Sequence, residues 1–167
     1  MVWYKDYILI LSVPVIFILD QISKYAAKEL LHHGESWPET GIFRFTHVTN
    51  SGTAFGLFKD ATPILIVASF IAIGFLIYFY RTHTGPRRIL RLAIGMLMGG
   101  ALGNLLDRIV YGSVVDFIDV GWWPVFNLAD SSIVVGMFVL AYVMLFDSKA
   151  SSPQEDHKTE EFDEGDM

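Results

Sequence analysis

The 167-residue chain contains no cysteine, which excludes disulfides, thiolate metal sites, a cysteine nucleophile and palmitoylation. Charge is scarce too: 18% of residues are Asp, Glu, Lys or Arg, against 53% hydrophobic, and the mean hydropathy is +0.44. A chain this apolar is not a disordered protein, and without a basic excess it is not a nucleic-acid binder. His32, His33, His47, His83 and His157 are scattered with no metal-ligand spacing, so there is no signal for a zinc site.

The net charge of −6 belongs to one end. From Asp147 onward, eight acidic residues are set against Lys149 and Lys158, whereas residues 1–146 hold ten acidic and ten basic residues. The last stretch is rich in Ser, Asp and Glu and has no apolar pattern. Residues 148–167 are therefore expected to form a disordered acidic tail behind a single domain over residues 1–147.

What the chain has in abundance is long apolar runs. Spanning a bilayer takes about 20 mostly apolar residues. Four runs approach that length: Tyr7 to about Tyr25, interrupted by Asp20 and Lys24; Thr62 to Tyr80; Leu92 to Leu106; and Ser131 to Phe146. So short a chain has no room left for a separate soluble core. The expected fold is an all-α membrane protein, a four-transmembrane-helix bundle. No small-residue cleavage site follows the first run, so it is read as a retained helix and not as a signal sequence. Trp3, Tyr4, Tyr7, Tyr78, Tyr80, Trp122 and Trp123 fit interfacial anchors.

Loop charge sets the orientation. Arg81, Arg87, Arg88 and Arg91 lie between the second and third runs with no acidic residue, which puts that loop and both termini in the cytoplasm. The connections over 26–61 and 107–130 then lie outside. In the first, Phe43-Arg44-Phe45-Thr46 alternates as a short surface strand would, a small extracytoplasmic β element.

Ionisable groups within a bilayer cost roughly 2.5–3.5 kcal/mol each even on lenient scales, so their placement is informative. With this topology Asp20, Lys24, Asn50, Asn104, Asp107, Arg108, Asp116, Asn127 and Asp130 all collect at the outer rim. Several have plain structural readings. Asp20 and Lys24 are spaced for an intrahelical ion pair. Asn50-Ser51-Gly52 reads as a turn. Gly95, Gly99 and Gly103 recur as a close-packing face, which could also make room for lateral access. Asn104 and Arg108, one turn apart, would serve equally as a polar clamp or as substrate contacts. Asp130 is placed to be the N-cap of the last helix. Asp116, in Val114-Val115-Asp116-Phe117, has no partner nearby in sequence and is the hardest to explain structurally.

Two carboxylates brought together in a low-dielectric site cannot both ionise easily, and the pair comes to share a proton. That is what an aspartic peptidase needs: one carboxylate takes a proton from water while its protonated partner polarises the scissile carbonyl. Two other classes stay open on these residues. An ion-coupled transporter also places Asp, Asn and Arg within the membrane, and a lipid-modifying enzyme could hold magnesium on paired aspartates.

Five blocks now stand in order: Asp20-Gln21-Ile22-Ser23-Lys24, Asn50-Ser51-Gly52-Thr53-Ala54-Phe55, Gly99 through Arg108, Val114-Val115-Asp116-Phe117 and Phe126-Asn127-Leu128-Ala129-Asp130. Over roughly residues 7 to 146 this pattern resembles the lipoprotein signal peptidase (signal peptidase II) family. The resemblance implies an aspartic endopeptidase of the bacterial plasma membrane that removes signal peptides from diacylglyceryl-modified prolipoproteins at the outer face. It implies Asp116 and Asp130 as the catalytic pair. Asn50, Gly52, Asn104, Arg108, Asn127 and Ala129 would bind substrate or support the pair, and Asp20 and Lys24 would give structural support. A flap from the first outer connection would cover the site. The implied partners are lipid-modified prolipoproteins and membrane lipids, with no cofactor, metal or nucleic acid, and the expected state is a monomer. The chain departs from the family at Thr49, where an aromatic residue is usual, and in its long acidic tail.

Overall fold

The computed structural model describes residues 6–52, 61–83 and 87–146. Thr53, Ala54 and Phe55 of the second block, the remainder of 53–60 in the first outer connection from which a flap was expected, Trp3, Tyr4 and the acidic tail lie outside the described residues.

Four helices are long and apolar enough to cross a membrane: α1 (Tyr7–Leu30), α2 (Thr62–His83), α3 (Arg88–Tyr111) and α4 (Leu128–Phe146). A small antiparallel sheet of β1 (Ser36–Trp37), β2 (Arg44–Asn50) and β3 (Val114–Asp119), in that spatial order, completes the fold. The multi-pass bundle expected from the apolar runs is thus present.

Helix α3 is the centre, packing against α1, α2 and α4. Over its membrane-length window 56% of residues are buried, against 6% for α2, so α2 lies mostly toward lipid. Glycine lets α3 take this place. A Cβ on Gly99 would sit 2.8 Å from the Val13 carbonyl oxygen of α1, one on Gly95 would meet the Ser12 side chain, and one on Gly103 would meet the Asp20 carboxylate. On the opposite face, a Cβ at Gly100 would fall 2.6 Å from the Ala129 carbonyl oxygen of α4. The Gly95-Gly99-Gly103 face is filled by α1. It serves close helix packing and leaves no room there for lateral access.

The sheet is larger than the alternation at Phe43–Thr46 suggested. Strand β2 continues to Asn50 because its second half pairs with β3, setting Val48 opposite Asp116 and Asn50 opposite Val114. Asp119 ties the two strands. Burial pulls its carboxyl upward, but the Gly121 N–H, the Thr46 hydroxyl and the Arg44 guanidinium at 2.7 Å together hold it below the ordinary carboxylate value. His47 of β2 pairs with the Leu31 carbonyl at 2.9 Å, anchoring the sheet to the end of α1.

Polar groups are not confined to the sheet end of the bundle. At the opposite end Asp6 caps α1 by accepting from the Leu9 N–H, and it also accepts from the Tyr80 hydroxyl at 2.8 Å and pairs with Arg91 at 2.9 Å. This buried tie joins the beginning of α1, the end of α2 and the beginning of α3. It corrects the expectation that the conspicuous polar residues gather at one rim alone.

Candidate active site

At the sheet end, the C-terminal halves of α1 and α3 meet the start of α4 and the middle of β3. The junction begins with Lys24, which is almost wholly buried. Its ammonium contacts Asp20 Oδ2 and Asp107 Oδ2, each at 2.8 Å, and donates to Asn104 Oδ1 at 2.9 Å. Three donors thus meet three acceptors, which is what a buried ammonium requires. Asp20 is shared further, since its Oδ1 accepts the Ala129 N–H at 2.9 Å and so holds the first turn of α4. Gln21 braces the group by donating to Asp107 Oδ1 at 3.1 Å and to Asp20 Oδ2 at 3.2 Å.

Above this base stand the two aspartates. Asp116 is buried and Asp130 half-buried. Asp116 Oδ1 accepts from Asn127 Nδ2 at 2.6 Å and Oδ2 from Asn50 Nδ2 at 3.1 Å. Asp130 Oδ1 accepts from Asn104 Nδ2 at 2.8 Å. Asn127 Nδ2 also reaches Asn104 Oδ1 at 3.2 Å, closing a network of amides between the two carboxylates.

Asp130 is not the N-cap of α4. Asn127 holds that position: its Oδ1 accepts the Asp130 N–H at 2.9 Å, while Asp130 Oδ2 accepts the Asn127 N–H at 3.3 Å. This is a capping box in which Asp130 occupies the third helical position. The spacing misled because Asn127 and Asp130 are both good caps, and the helix start at Leu128 decides between them.

Electrostatics separates Asp116 from an ordinary surface carboxylate. Burial and the nearby charge of Asp130 push its pKa up to about 7, against the partial opposition of the Asn50 and Asn127 amides and of Lys24. A buried carboxyl poised near neutrality beside a second carboxylate can give and take a proton at physiological pH. Arg108 donates to the Asn104 carbonyl oxygen at 3.4 Å and acts electrostatically on Asp130, Asp116 and Asp107.

Asn50, Gly52, Asn104, Arg108, Asp116, Asn127, Ala129, Asp130, Asp20 and Lys24 are all brought into this one junction. Gly52 donates its N–H to Asn50 Oδ1 at 3.0 Å, forming the Asx turn expected there. Two members had no role assigned from sequence, Gln21 and Asp107. Asp107 could have been found by charge balance, because a buried lysine with one aspartate on its own helix still has ammonium N–H groups to satisfy.

A membrane-spanning enzyme with buried, hydrogen-bonded carboxylates points to the aspartic peptidases. The comparisons with known proteins agree. Residues 12–146 match the signal peptidase (SPase) II family. The lipoprotein signal peptidase of Pelotomaculum thermopropionicum is 42% identical over 150 residues, covering 88% of this chain and 97% of that protein. The lipoprotein signal peptidase of Syntrophomonas wolfei subsp. wolfei is 44% identical over 141 residues, covering 83% and 93%. A bacterial membrane enzyme solved by the in meso method at 2.3 Å resolution aligns with a TM-score of 0.81 at 30% identity, covering 88% of this chain and 93% of that one. The chain belongs to the signal peptidase II family, aspartic peptidases that cleave signal peptides from prolipoproteins.

Proposed function

We propose that Asp116 and Asp130 are the catalytic pair and that the substrate is a prolipoprotein already carrying a diacylglyceryl group. The observation that carries this reading is the network in which Asn127 donates its side-chain amide to Asp116 and its backbone N–H to Asp130. Asp130 takes a proton from the attacking water. Protonated Asp116 donates to the scissile carbonyl, giving a gem-diol; as the C–N bond breaks, Asp130 passes the water-derived proton to the departing amine and Asp116 recovers its proton from the gem-diol hydroxyl. Asn50, Asn104 and Asn127 hold the carboxylates, while Gly52, Arg108 and Ala129 line or support the site.

The arginine-rich end faces the cytoplasm, as do both termini, and the sheet and the two aspartates lie at the outer face of the plasma membrane. A substrate held by its acyl chains and signal helix presents its bond at that depth. Helix α2 offers a lateral route. It buries only Leu76 and Tyr80 and forms no extensive interface with α4 among the described residues. The enzyme acts as a monomer, a reading supported by the presence of both carboxylates and their amide donors in one chain.

The test is a gel-shift assay on lipidated and unlipidated precursor with Asp116→Asn and Asp130→Asn. Each variant should insert and fold, yet lose at least about a hundredfold in cleavage of the lipidated form. Near-normal turnover in either would remove that residue from the pair, and equal cleavage of both precursors would remove the lipid requirement.

A further inference from the structure

Three asparagines present amide nitrogens to the carboxylate pair, and in each the amide oxygen is held by a separate donor. For Asn50 it is the Gly52 N–H, two residues on, and for Asn127 it is the Asp130 N–H, three residues on. These are local backbone donors. For Asn104 the nearer donor is the Lys24 ammonium at 2.9 Å, which comes from another helix and 80 positions away in sequence, with Asn127 Nδ2 beside it at 3.2 Å.

We propose that Lys24 is a positioning residue for peptide hydrolysis: by holding the Asn104 amide oxygen it obliges the Asn104 amide nitrogen to face Asp130. The proposal rests on the assignment of Asp116 and Asp130 as the reacting pair. Lysine has three N–H donors and no acceptor. A flipped Asn104 amide would set its NH2 against the ammonium 2.9 Å away and against Asn127 Nδ2 at 3.2 Å, and would turn its carbonyl oxygen toward the Asp130 carboxylate. All three contacts would become repulsive, so one orientation survives. Neutralising Asp20 and Asp107 would explain two of the ammonium's contacts but not the third.

Lys24 also adds charge to the site. The groups facing Asp116 are Asp130 from α4, Lys24 from α1, Arg108 from α3, and the amides of Asn50 and Asn127. Loss of the Lys24 cation alone would make Asp116 hold its proton to higher pH, and removing the Asp107 carboxylate with it offsets that change.

Lys24→Met combined with Asp107→Asn keeps the formal charge of the buried Asp20-Lys24-Asp107 group unchanged and so avoids leaving two carboxylates unpaired. Lys24→Gln with Asp107→Asn keeps an N–H donor for Asn104 as well. Both would be purified as folded full-length chains and assayed on diacylglyceryl-modified precursor across pH. In the methionine variant kcat should fall about a hundredfold with KM little changed, and because the formal charge is unchanged the pH profile should keep its position. The glutamine variant should recover part or all of kcat at the same profile. Wild-type kcat in the folded methionine variant, or a glutamine variant no faster than the methionine one, would overturn the proposal. Failure of both to fold would overturn it too, by making Lys24 a residue that only holds the bundle. Asp116→Asn and Asp130→Asn are assayed alongside. Activity in either of them refutes the catalytic pair itself, whereas two dead aspartate variants with normal Lys24 variants refute only the positioning role.

Discussion

Asn127 and Asp130 hold each other across the first turn of α4, each side chain accepting the other's backbone N–H. The same two residues begin a membrane helix and carry functional groups: the free side of the Asn127 amide reaches Asp116, and Asp130 Oδ1 takes the Asn104 amide. Capping and site assembly are therefore one set of hydrogen bonds.

Asn127→Ser separates the two. Serine caps a helix well but is too short to replace the 2.6 Å contact to Asp116. With the cap kept, the stability lost should be that of the unpaired buried acceptor at Asp116, about 1–3 kcal/mol, while cleavage falls at least about tenfold. Asn127→Ala should lose the cap too, at about 1 kcal/mol. Thermal unfolding read beside the gel-shift rate checks both.

The raised pKa of Asp116 links stability to pH. The unfolded chain releases this proton near 3.8 and the folded protein near 7, so the folded state binds the extra proton in between. The stability contributed by protonated Asp116 is complete below about pH 4 and disappears as pH rises to about 7. Compared with Asp116→Asn, the wild type should lose thermal stability over this interval. Cleavage by the wild type should decline above about pH 7, as the shared proton is lost. Parallel stability curves for the two proteins would disprove the link.

Glycine positions should differ sharply in their tolerance. A methyl group at Gly103 meets the Asp20 carboxylate and would push it from Lys24 and from the Ala129 N–H. Gly103→Ala should cost about 1–3 kcal/mol and reduce activity as α4 shifts. At Gly74 nothing lies within 4 Å of the added Cβ, so Gly74→Ala should be neutral or stabilising by up to about 1 kcal/mol. Folded yield and unfolding temperature compare the pair.

Removing residues 148–167 should leave the rate of precursor cleavage unchanged, since the matched family region ends at residue 146 and the site lies within it. A loss of rate beyond about twofold, at equal folded protein, would give the acidic tail a role in the reaction.

Much of this was legible in the chain. Hydrocarbon thickness demands long apolar runs, so four spans could be counted directly, and an isolated carboxylate at Asp116 stood out because its neighbours are all apolar. The Asp20 and Lys24 pair followed from helical spacing and is present at 2.8 Å. Other features were hidden because they depend on contacts between elements distant in sequence. The length of β2 is set by β3, more than 60 residues away, and the role of the α3 glycines by which helix lies against them. The tie of Asp6 to Tyr80 and Arg91 escaped notice because Asp6 stands beside the first run with no partner nearby.

Sequence by itself determined the spans and the identity of the polar residues, because bilayer insertion and charge burial act on composition and local spacing; the class of chemistry came from the resemblance carried by its five ordered blocks. Tertiary structure decided which way each amide points. An asparagine can present oxygen or nitrogen to a carboxylate, and only a donor on its other side removes the choice. For Asn104 the nearer such donor is Lys24, brought there by the packing of α1 against the glycine face of α3.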